Sequence, residues 1–201
     1  MNVLILGGFL GSGKTTILLE LAKYIISHTQ SEQKTKVMII ENEVGEVGVD
    51  DGYLRSGGLQ VENLFAGCAC CSLSGELVTT LTEIRNKYAP EWIIIEATGI
   101  ATPDNIQLAL KRAMDIKSRI LVLADAQRWM RLRGPLQNLI YSQIEGANAV
   151  FINKCDLVDS ETISQVEQDI EKIEENAIIY RVCAVHGIPD EICAQALNME
   201  I

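Results

Sequence analysis

The stretch GGFLGSGKTT, residues 7–16, decides the fold of this chain. It follows the short apolar run VLIL, residues 3–6, and precedes a segment with helical periodicity. Gly8, then four residues, then Gly13, Lys14 and Thr15 have the spacing of a phosphate-binding P-loop between a buried strand and a helix. The alternative is a glycine turn that only joins strand to helix, but the spacing, the Lys-Thr pair and the context all favour phosphate binding.

The chemistry of this loop predicts a nucleotide site that uses Mg²⁺. Backbone N–H groups and the N-terminus of the following helix would surround the β-phosphate. Lys14 would reach the β- and γ-phosphates, and the Thr15 hydroxyl would bind Mg²⁺. The predicted phosphate-site residues are Gly8, Gly11, Ser12, Gly13, Lys14, Thr15 and Thr16.

Outward from the loop, short apolar strands alternate with helical patterns. Predicted strands cover residues 2–6, 36–40, 92–96, 119–125, 149–153 and 177–182, and predicted helices cover 15–26, 75–88, 103–114, 135–145 and 161–176. Nearly continuous apolar strands are typical of a sheet that is buried on both faces. The alternation therefore predicts an α/β fold, with a doubly wound, mostly parallel sheet and helices on both faces. Residues 42–75 form one long loop in this scheme.

Composition narrows the functional classes. A length of 201 residues predicts a single domain over residues 1–201. The 27 acidic residues outnumber the 17 basic ones, and the net charge of −10 argues against a nucleic-acid partner. Six cysteines without a secretory signal indicate a reducing, cytoplasmic location. No apolar run approaches the ~20 residues of a membrane span.

The base of the nucleotide is indicated by NKCD, residues 153–156, at the end of a predicted strand. The Asp156 carboxylate can accept hydrogen bonds from guanine N1–H and from its N2 amino group, whereas adenine offers no such donor pair. The NKCD motif, with Asn153, Lys154 and Asp156, therefore favours GTP over ATP; the alternative for an isolated tetrapeptide of this kind is a polar strand end. Ala184, in the loop CAVHG after the next strand, is expected to contribute backbone atoms to the wall of the base site.

A hydrolytic element is expected at EATG, residues 96–99. Glu96 would hold the water shell of Mg²⁺, and Gly99 would let its N–H group approach the γ-phosphate. Asp50 is a candidate second carboxylate near the metal or the attacking water, or a simple loop acid. Asp125 also ends a strand and is interpreted as a helix cap. Lys14, Glu96, Gly99 and Asp50 are thus the candidate catalytic residues.

A cysteine cluster, GCACC, places Cys68, Cys70 and Cys71 within four positions of the long loop. Soft thiolates suit Zn²⁺ and other late transition metals, and Glu41, Glu46 or water could complete the ligand set. Buried structural cysteines and a redox pair remain alternatives. The two histidines, at positions 28 and 186, do not lie near a motif. The other cysteines, at positions 155, 183 and 193, are interpreted as packing residues.

Taken in order, GGFLGSGKTT, ENEVGEVGVDD, GCACCSL, IIIEATGIATP and NKCDL resemble the CobW/HypB/UreG family of GTPases, most closely its CobW branch. The resemblance covers residues 2–192. It implies a GTPase that handles a transition metal or metallocofactor, with nucleotide-dependent dimerisation. Carried over by position, Glu41, Glu46, Cys68, Cys70 and Cys71 are where family metal ligands lie. The second, C-terminal domain and the His-rich tract of many CobW proteins are not in this sequence.

The expected function is that of a GTPase metallochaperone, or of an accessory factor for a metal- or corrinoid-dependent client enzyme. Its cofactors would be GTP, Mg²⁺ and a transition metal, Zn²⁺ or Co²⁺. The sequence shows no obvious general base or arginine finger, so slow intrinsic hydrolysis is expected. A thiol or redox sensor that binds nucleotide, and a P-loop small-molecule kinase, are the alternatives, although the guanine motif disfavours the kinase.

Overall fold

A computed structural model describes residues 1–29, 36–41, 59–63, 73–97 and 102–199. Its centre is a seven-stranded sheet in the order β3-β2-β4-β1-β5-β6-β7, in which every pairing is parallel. The strands are β1 (Asn2–Gly8), β2 (Val37–Glu41), β3 (Leu59–Asn63), β4 (Trp92–Glu96), β5 (Ser118–Asp125), β6 (Ala149–Asn153) and β7 (Ile178–Arg181). The predicted parallel α/β sheet is confirmed.

Helices cover both faces of the sheet. They are α1 (Lys14–His28), α2 (Leu73–Lys87), α3 (Pro103–Met114), α4 (Ala126–Leu132), α5 (Gln137–Ile144), α6 (Ser160–Ile173) and α7 (Asp190–Leu197). Alternate residues of β1 enter opposite cores: Leu4 and Leu6 pack with α1 and α7, whereas Val3 and Ile5 pack with α2 to α6. The strands are therefore apolar along their whole length because both of their faces are buried.

Three elements differ from the sequence-based expectation. β3 lies inside the segment assigned to one long loop, where it pairs with β2 as the last strand of the described sheet. Its sequence, LQVEN, alternates apolar and polar residues as a half-buried strand does, and lacks the continuous apolar run by which the central strands are predicted. Helices α4 and α7, which are 7 and 8 residues long, were not predicted.

The topology places the candidate site at the carboxyl ends of the central strands. The connection from β1 to β2 runs to one side of β1, whereas the connection from β4 to β5 passes to its other side, so the direction of winding reverses at β1. In open α/β sheets, ligands bind at such a switch point. The P-loop follows β1, Glu96 ends β4 and Asn153 ends β6, so the predicted motifs converge on one edge. Among the described residues, none of the helices combines the length and apolar character needed to cross a membrane.

Candidate nucleotide site

The phosphate loop joins β1 to α1 and depends on two glycines with positive φ. Gly8 has φ 130°, and a Cβ there would lie 2.7 Å from the Leu123 carbonyl oxygen. Gly13 has φ 100°, and a Cβ there would collide with Asn153 Nδ2. Both positions therefore exclude larger side chains on conformational and steric grounds.

Lys14 and Glu96 meet beside this loop. Lys14 is the first residue of α1, and its Nζ donates to the Phe9 carbonyl oxygen at 3.3 Å. The same Nζ lies 3.8 Å from Glu96 Oε1, although the two residues come from α1 and from the end of β4. Both side chains are largely buried. A buried ammonium group that faces a carboxylate at a helix N-terminus is suited to polyphosphate oxygens and their cation.

Thr15, Thr16 and Ser12 complete the described part of the loop. Thr15 and Thr16 are exposed in the first turn of α1, so their hydroxyl groups are accessible to a ligand. Ser12 is buried, and its Oγ has no hydrogen-bond partner among the described residues. The exposed Thr15 hydroxyl and the Glu96 carboxylate are oxygen ligands of the type that Mg²⁺ prefers, so the residues present fit this ion.

Asn153 connects three loops through its amide. Its Nδ2 donates to the Ser12 carbonyl oxygen at 2.8 Å, and its Oδ1 accepts from the Lys154 and Ala184 N–H groups, each at 2.9 Å. The side chain is almost fully buried, so each of these bonds replaces water that cannot enter. The P-loop, the NKCD turn and the loop after β7 are consequently held in one arrangement.

Lys154 spans the outer side of the phosphate loop. It has a left-handed backbone conformation, with φ 64°, and begins the short 3-10 turn Cys155–Leu157. Its Nζ donates to the Gly11 carbonyl oxygen at 2.7 Å and to Asp125 Oδ2 at 2.6 Å. Asp125 Oδ1 accepts from the Arg128 N–H group, which confirms Asp125 as the cap of α4. The carboxylate therefore has a second role, which is to position Lys154.

Asp156 is exposed at the far end of this site, where the guanine base is predicted. Its Oδ1 accepts a hydrogen bond from the Cys183 thiol at 2.9 Å. The interpretation of Cys183 as a packing residue is therefore wrong, because its half-buried Sγ faces a polar group. His186 also lies beside Asp156, contrary to the expectation that neither histidine is near a motif. The pairing of β6 with β7 brings their following turns together.

Two further residues contact the phosphate loop and were missed by sequence reasoning. Gln143, fully buried in α5, accepts from the Gly8 N–H group at 3.0 Å. The available signal was a polar residue on the apolar face that Ile140 and Ile144 define. Arg128, in α4, donates from Nη1 to the Leu10 carbonyl oxygen at 2.8 Å. No sequence signal identified it, because α4 itself was not predicted.

Several predicted residues lie outside the described part of the chain: Asp50, Gly99, Glu46, Cys68, Cys70 and Cys71. Glu41 is described as the last residue of β2, without its side chain. Its backbone is in register with that of Glu96, on the neighbouring strand β4. One candidate metal ligand and the candidate hydrolytic carboxylate therefore occupy the same level of the sheet, at its carboxyl edge.

The two remaining described cysteines fit the packing interpretation. Cys193 in α7 is buried, and this burial raises the pKa of its thiol to about 12. Cys155 is half-buried, and its thiol donates to the Ile152 carbonyl oxygen at 3.1 Å. Burial also raises the Cys155 pKa. Both thiols are consequently protonated and unreactive near neutral pH.

Curated proteins similar to this chain are described as zinc chaperones and metalloprotein activators. The zinc-regulated GTPase metalloprotein activator 1 of Schizosaccharomyces pombe is 30% identical over 203 residues, covering 94% of this chain and 47% of that protein. The zinc chaperone YjiA of Escherichia coli is 39% identical over 110 residues, covering 52% of this chain and 32% of YjiA. The chain spans about half the length or less of these relatives.

Solved structures agree on the fold. The hydrogenase maturation factor HypB of Archaeoglobus fulgidus superposes with a TM-score of 0.69 at 18% identity, covering 98% of this chain and 89% of HypB. The Zn(II)-bound YjiA GTPase of E. coli superposes with a TM-score of 0.68 at 23% identity, covering all of this chain and 63% of YjiA. These likenesses identify the P-loop GTPase fold. The family model of the CobW/HypB/UreG nucleotide-binding domain matches residues 2–181, and the chain therefore belongs to the CobW/HypB/UreG family.

Proposed function

We propose that this chain binds and slowly hydrolyses GTP in order to control a transition metal that it delivers to a client metalloenzyme or corrinoid protein. The observation that carries the proposal is the convergence of the phosphate loop, the NKCD turn and Glu96 on one edge of the sheet. Glu41, a candidate metal ligand, ends the strand beside Glu96 at that same edge. A nucleotide and a metal would then act on neighbouring backbone segments.

The described residues support triphosphate binding. Lys14 Nζ, which now contacts the Phe9 carbonyl oxygen and Glu96, is positioned to exchange these partners for β- and γ-phosphate oxygens. Thr15 and Glu96 would hold Mg²⁺, which when bound neutralises charge on the phosphate oxygens. In hydrolysis, a water oxygen forms a bond to the γ-phosphorus as the bond to the β–γ bridging oxygen breaks. Lys14 would stabilise the charge that develops on GDP and phosphate.

Guanine selection is supported by the surroundings of Asp156. Its carboxylate already accepts a hydrogen bond from a donor in the next loop, Cys183. Guanine N1–H and N2 would replace this donor with two hydrogen bonds, whereas adenine offers no such donor pair to the carboxylate. Asn153 and Lys154 hold the turn that presents Asp156 against the P-loop. The residues that select the base would thus be held in a fixed position relative to the residues that bind the phosphates.

Metal handling is supported by the relatives and by the register of β2 and β4. The curated relatives include zinc chaperones, and one solved neighbour of 20% identity is a HypB in complex with nickel. We infer that Cys68, Cys70 and Cys71, with Glu41 and Glu46, bind Zn²⁺ or Co²⁺ as cargo. Asp50 and Gly99 would act near the γ-phosphate, so nucleotide state would set the geometry of the metal site.

We further infer that residues 1–201 form one GTPase domain that works in the cytoplasm, without nucleic-acid or membrane partners. In a nucleotide-dependent homodimer, the nucleotide state would control two metal sites together. The acidic net charge of −10 supports the absence of a nucleic-acid partner, and the family match over residues 2–181 supports a single GTPase domain.

The proposal is tested by titrating Zn²⁺ and Co²⁺ into the reduced protein with GDP and with a non-hydrolysable GTP analogue. We expect tighter metal binding with the GTP analogue, by roughly 5–150-fold if the coupling has the usual size. Linkage requires the metal to favour the GTP analogue over GDP by the same factor. The Cys68→Ser, Cys70→Ser double variant should lose the coupling, with Cys193→Ser as the matched control. A metal affinity that is the same with GDP and with the GTP analogue would refute the metallochaperone function.

A further inference from the structure

A group of three metal-ligating side chains lies away from the predicted metal ligands. One ligand atom each from Asp156, Cys183 and His186 lies within 4.8 Å of the other two. Asp156 belongs to the 3-10 turn Cys155–Leu157, after β6. Cys183 and His186 begin and end the turn that follows β7, which includes the 3-10 segment Ala184–His186. Because β6 and β7 are paired in parallel, their carboxyl-end turns lie side by side.

The donor set is that of a borderline-soft divalent cation. A thiolate, an imidazole nitrogen and a carboxylate oxygen are all ligands of Zn²⁺, and Co²⁺ accepts the same set. Asp156 and His186 are exposed and Cys183 is half-buried, so a fourth position would be open to solvent. Three protein ligands and one exchangeable position are typical of Zn²⁺ sites that are not purely structural.

Two of the three side chains, Cys183 and Asp156, are already in hydrogen-bond contact. The thiol proton lies between Cys183 Sγ and Asp156 Oδ1, 2.9 Å apart. A divalent cation would replace the shared proton, which is released to solvent as the metal–sulfur bond forms.

We propose that Asp156, Cys183 and His186 bind a transition-metal ion, and that this ion competes with guanine for the Asp156 carboxylate. The competition, but not the metal site, rests on the proposed guanine specificity. An oxygen that coordinates the cation is no longer available to guanine N1–H and N2. Metal at this site therefore weakens the binding of guanine nucleotide, and guanine nucleotide weakens the binding of metal by the same factor. This coupling has the opposite sign to the one proposed for the cysteine-rich segment.

The metal site is tested first without nucleotide. Co²⁺ is titrated into the reduced full chain carrying Cys68→Ser, Cys70→Ser and Cys71→Ser, and the sulfur-to-cobalt charge-transfer band is recorded. We expect a saturable band with one equivalent that Cys183→Ser abolishes, because Cys183 is the one sulfur ligand of the site, and whose affinity falls about tenfold or more in His186→Gln. Cys155→Ser and Cys193→Ser are the matched controls and should keep the band. A band that survives both Cys183→Ser and His186→Gln, or no band at all, overturns the site.

The competition is tested second, in excess Mg²⁺, by adding GDP or ADP to the cobalt-loaded protein. We expect GDP to weaken Co²⁺ binding and ADP, which has the same phosphates, to leave it unchanged. Guanine selectivity is measured separately on the metal-free protein by calorimetry. Selective GDP binding that leaves Co²⁺ affinity unaltered overturns the competition. A cobalt site that depends on Cys183 and His186 in a protein without guanine preference supports the site and refutes the proposed GTP function.

Discussion

Asn153 Nδ2 donates a hydrogen bond of 2.8 Å to the backbone carbonyl oxygen of Ser12, although 141 positions separate the two residues in the chain. Both residues are buried, so the bond is shielded from water. It joins the turn predicted to select the base to the loop predicted to bind the phosphates. The adjacent Gly13 has no Cβ that would collide with the Asn153 amide. This hydrogen bond therefore fixes the two halves of the candidate nucleotide site relative to each other.

Asn153→Ala should weaken the binding of all nucleotides rather than change the preference between GTP and ATP. The substitution leaves the Ser12 carbonyl and the Ala184 N–H without their partner, at a cost of about 1–3 kcal/mol for each buried group. We expect GTP and ATP affinities to fall by similar factors of about tenfold or more. Calorimetric titration of both nucleotides measures this. A selective loss of GTP alone would mean that Asn153 reads the base directly.

Asp156→Asn should change base preference while leaving phosphate binding intact. The amide can donate to the C2 carbonyl of xanthine, whereas it no longer accepts two hydrogen bonds from guanine. We expect at least a roughly tenfold loss of GTP affinity and a gain for xanthosine triphosphate. Asp159→Asn is the matched control, because Asp159 caps α6 by accepting from the Thr162 N–H group. Equal affinities of the unaltered protein for ATP and GTP would contradict this role of Asp156.

Lys14→Ala and Glu96→Gln should separate binding from hydrolysis. Lys14 would contact phosphate in both the ground state and the transition state, so its loss should remove most nucleotide affinity. Glu96→Gln keeps the size of the side chain 3.8 Å from Lys14 but removes its charge, so it should spare binding and lower kcat. Nucleotide affinity and phosphate release are measured for both variants. If the two lose affinity equally, Glu96 contributes to binding and not to hydrolysis.

Cys193 should make the fold less stable at alkaline pH. Its thiol ionises near its usual value of 9.0 in the unfolded chain but only at about 12 in the folded protein. The unfolded state therefore binds fewer protons between these values, and the free energy of unfolding falls as pH rises from about 9 to 12. One such group contributes at most about 1.4 kcal/mol per pH unit. Urea unfolding at pH 8 and pH 10 should show a smaller difference in Cys193→Ala than in the unaltered protein.

The control for this pH effect is Cys155→Ala, since Cys155 is only half-buried. It should reduce the alkaline loss less than Cys193→Ala does. The opposite order would show that burial of the α7 thiol does not cause the loss.

The sequence alone determined the features that depend on residues close together in the chain. The P-loop spacing specified a strand, a glycine turn and a helix, because Lys14 and Thr15 act from consecutive positions of one turn. Apolar runs such as WIIIE predicted strands buried on both faces, and the parallel sheet confirmed them. The order of the motifs also led to the family, which the match over residues 2–181 confirmed. The short helix α4 and the strand β3 were not predicted: α4 has seven residues, and β3 alternates apolar and polar residues instead of forming a continuous apolar run.

Only the tertiary structure decided which distant side chains meet. Gln143 reaches Gly8 across 135 positions, and Lys154 reaches Asp125 because β5 and β6 are neighbours in the sheet. The same kind of pairing, between β6 and β7, brings Cys183 and His186 to Asp156. The order of the strands is a property of the packed sheet, and no single position of the sequence indicates it. The residue types at the site could therefore be predicted from sequence, whereas their partners depended on which strands lie side by side.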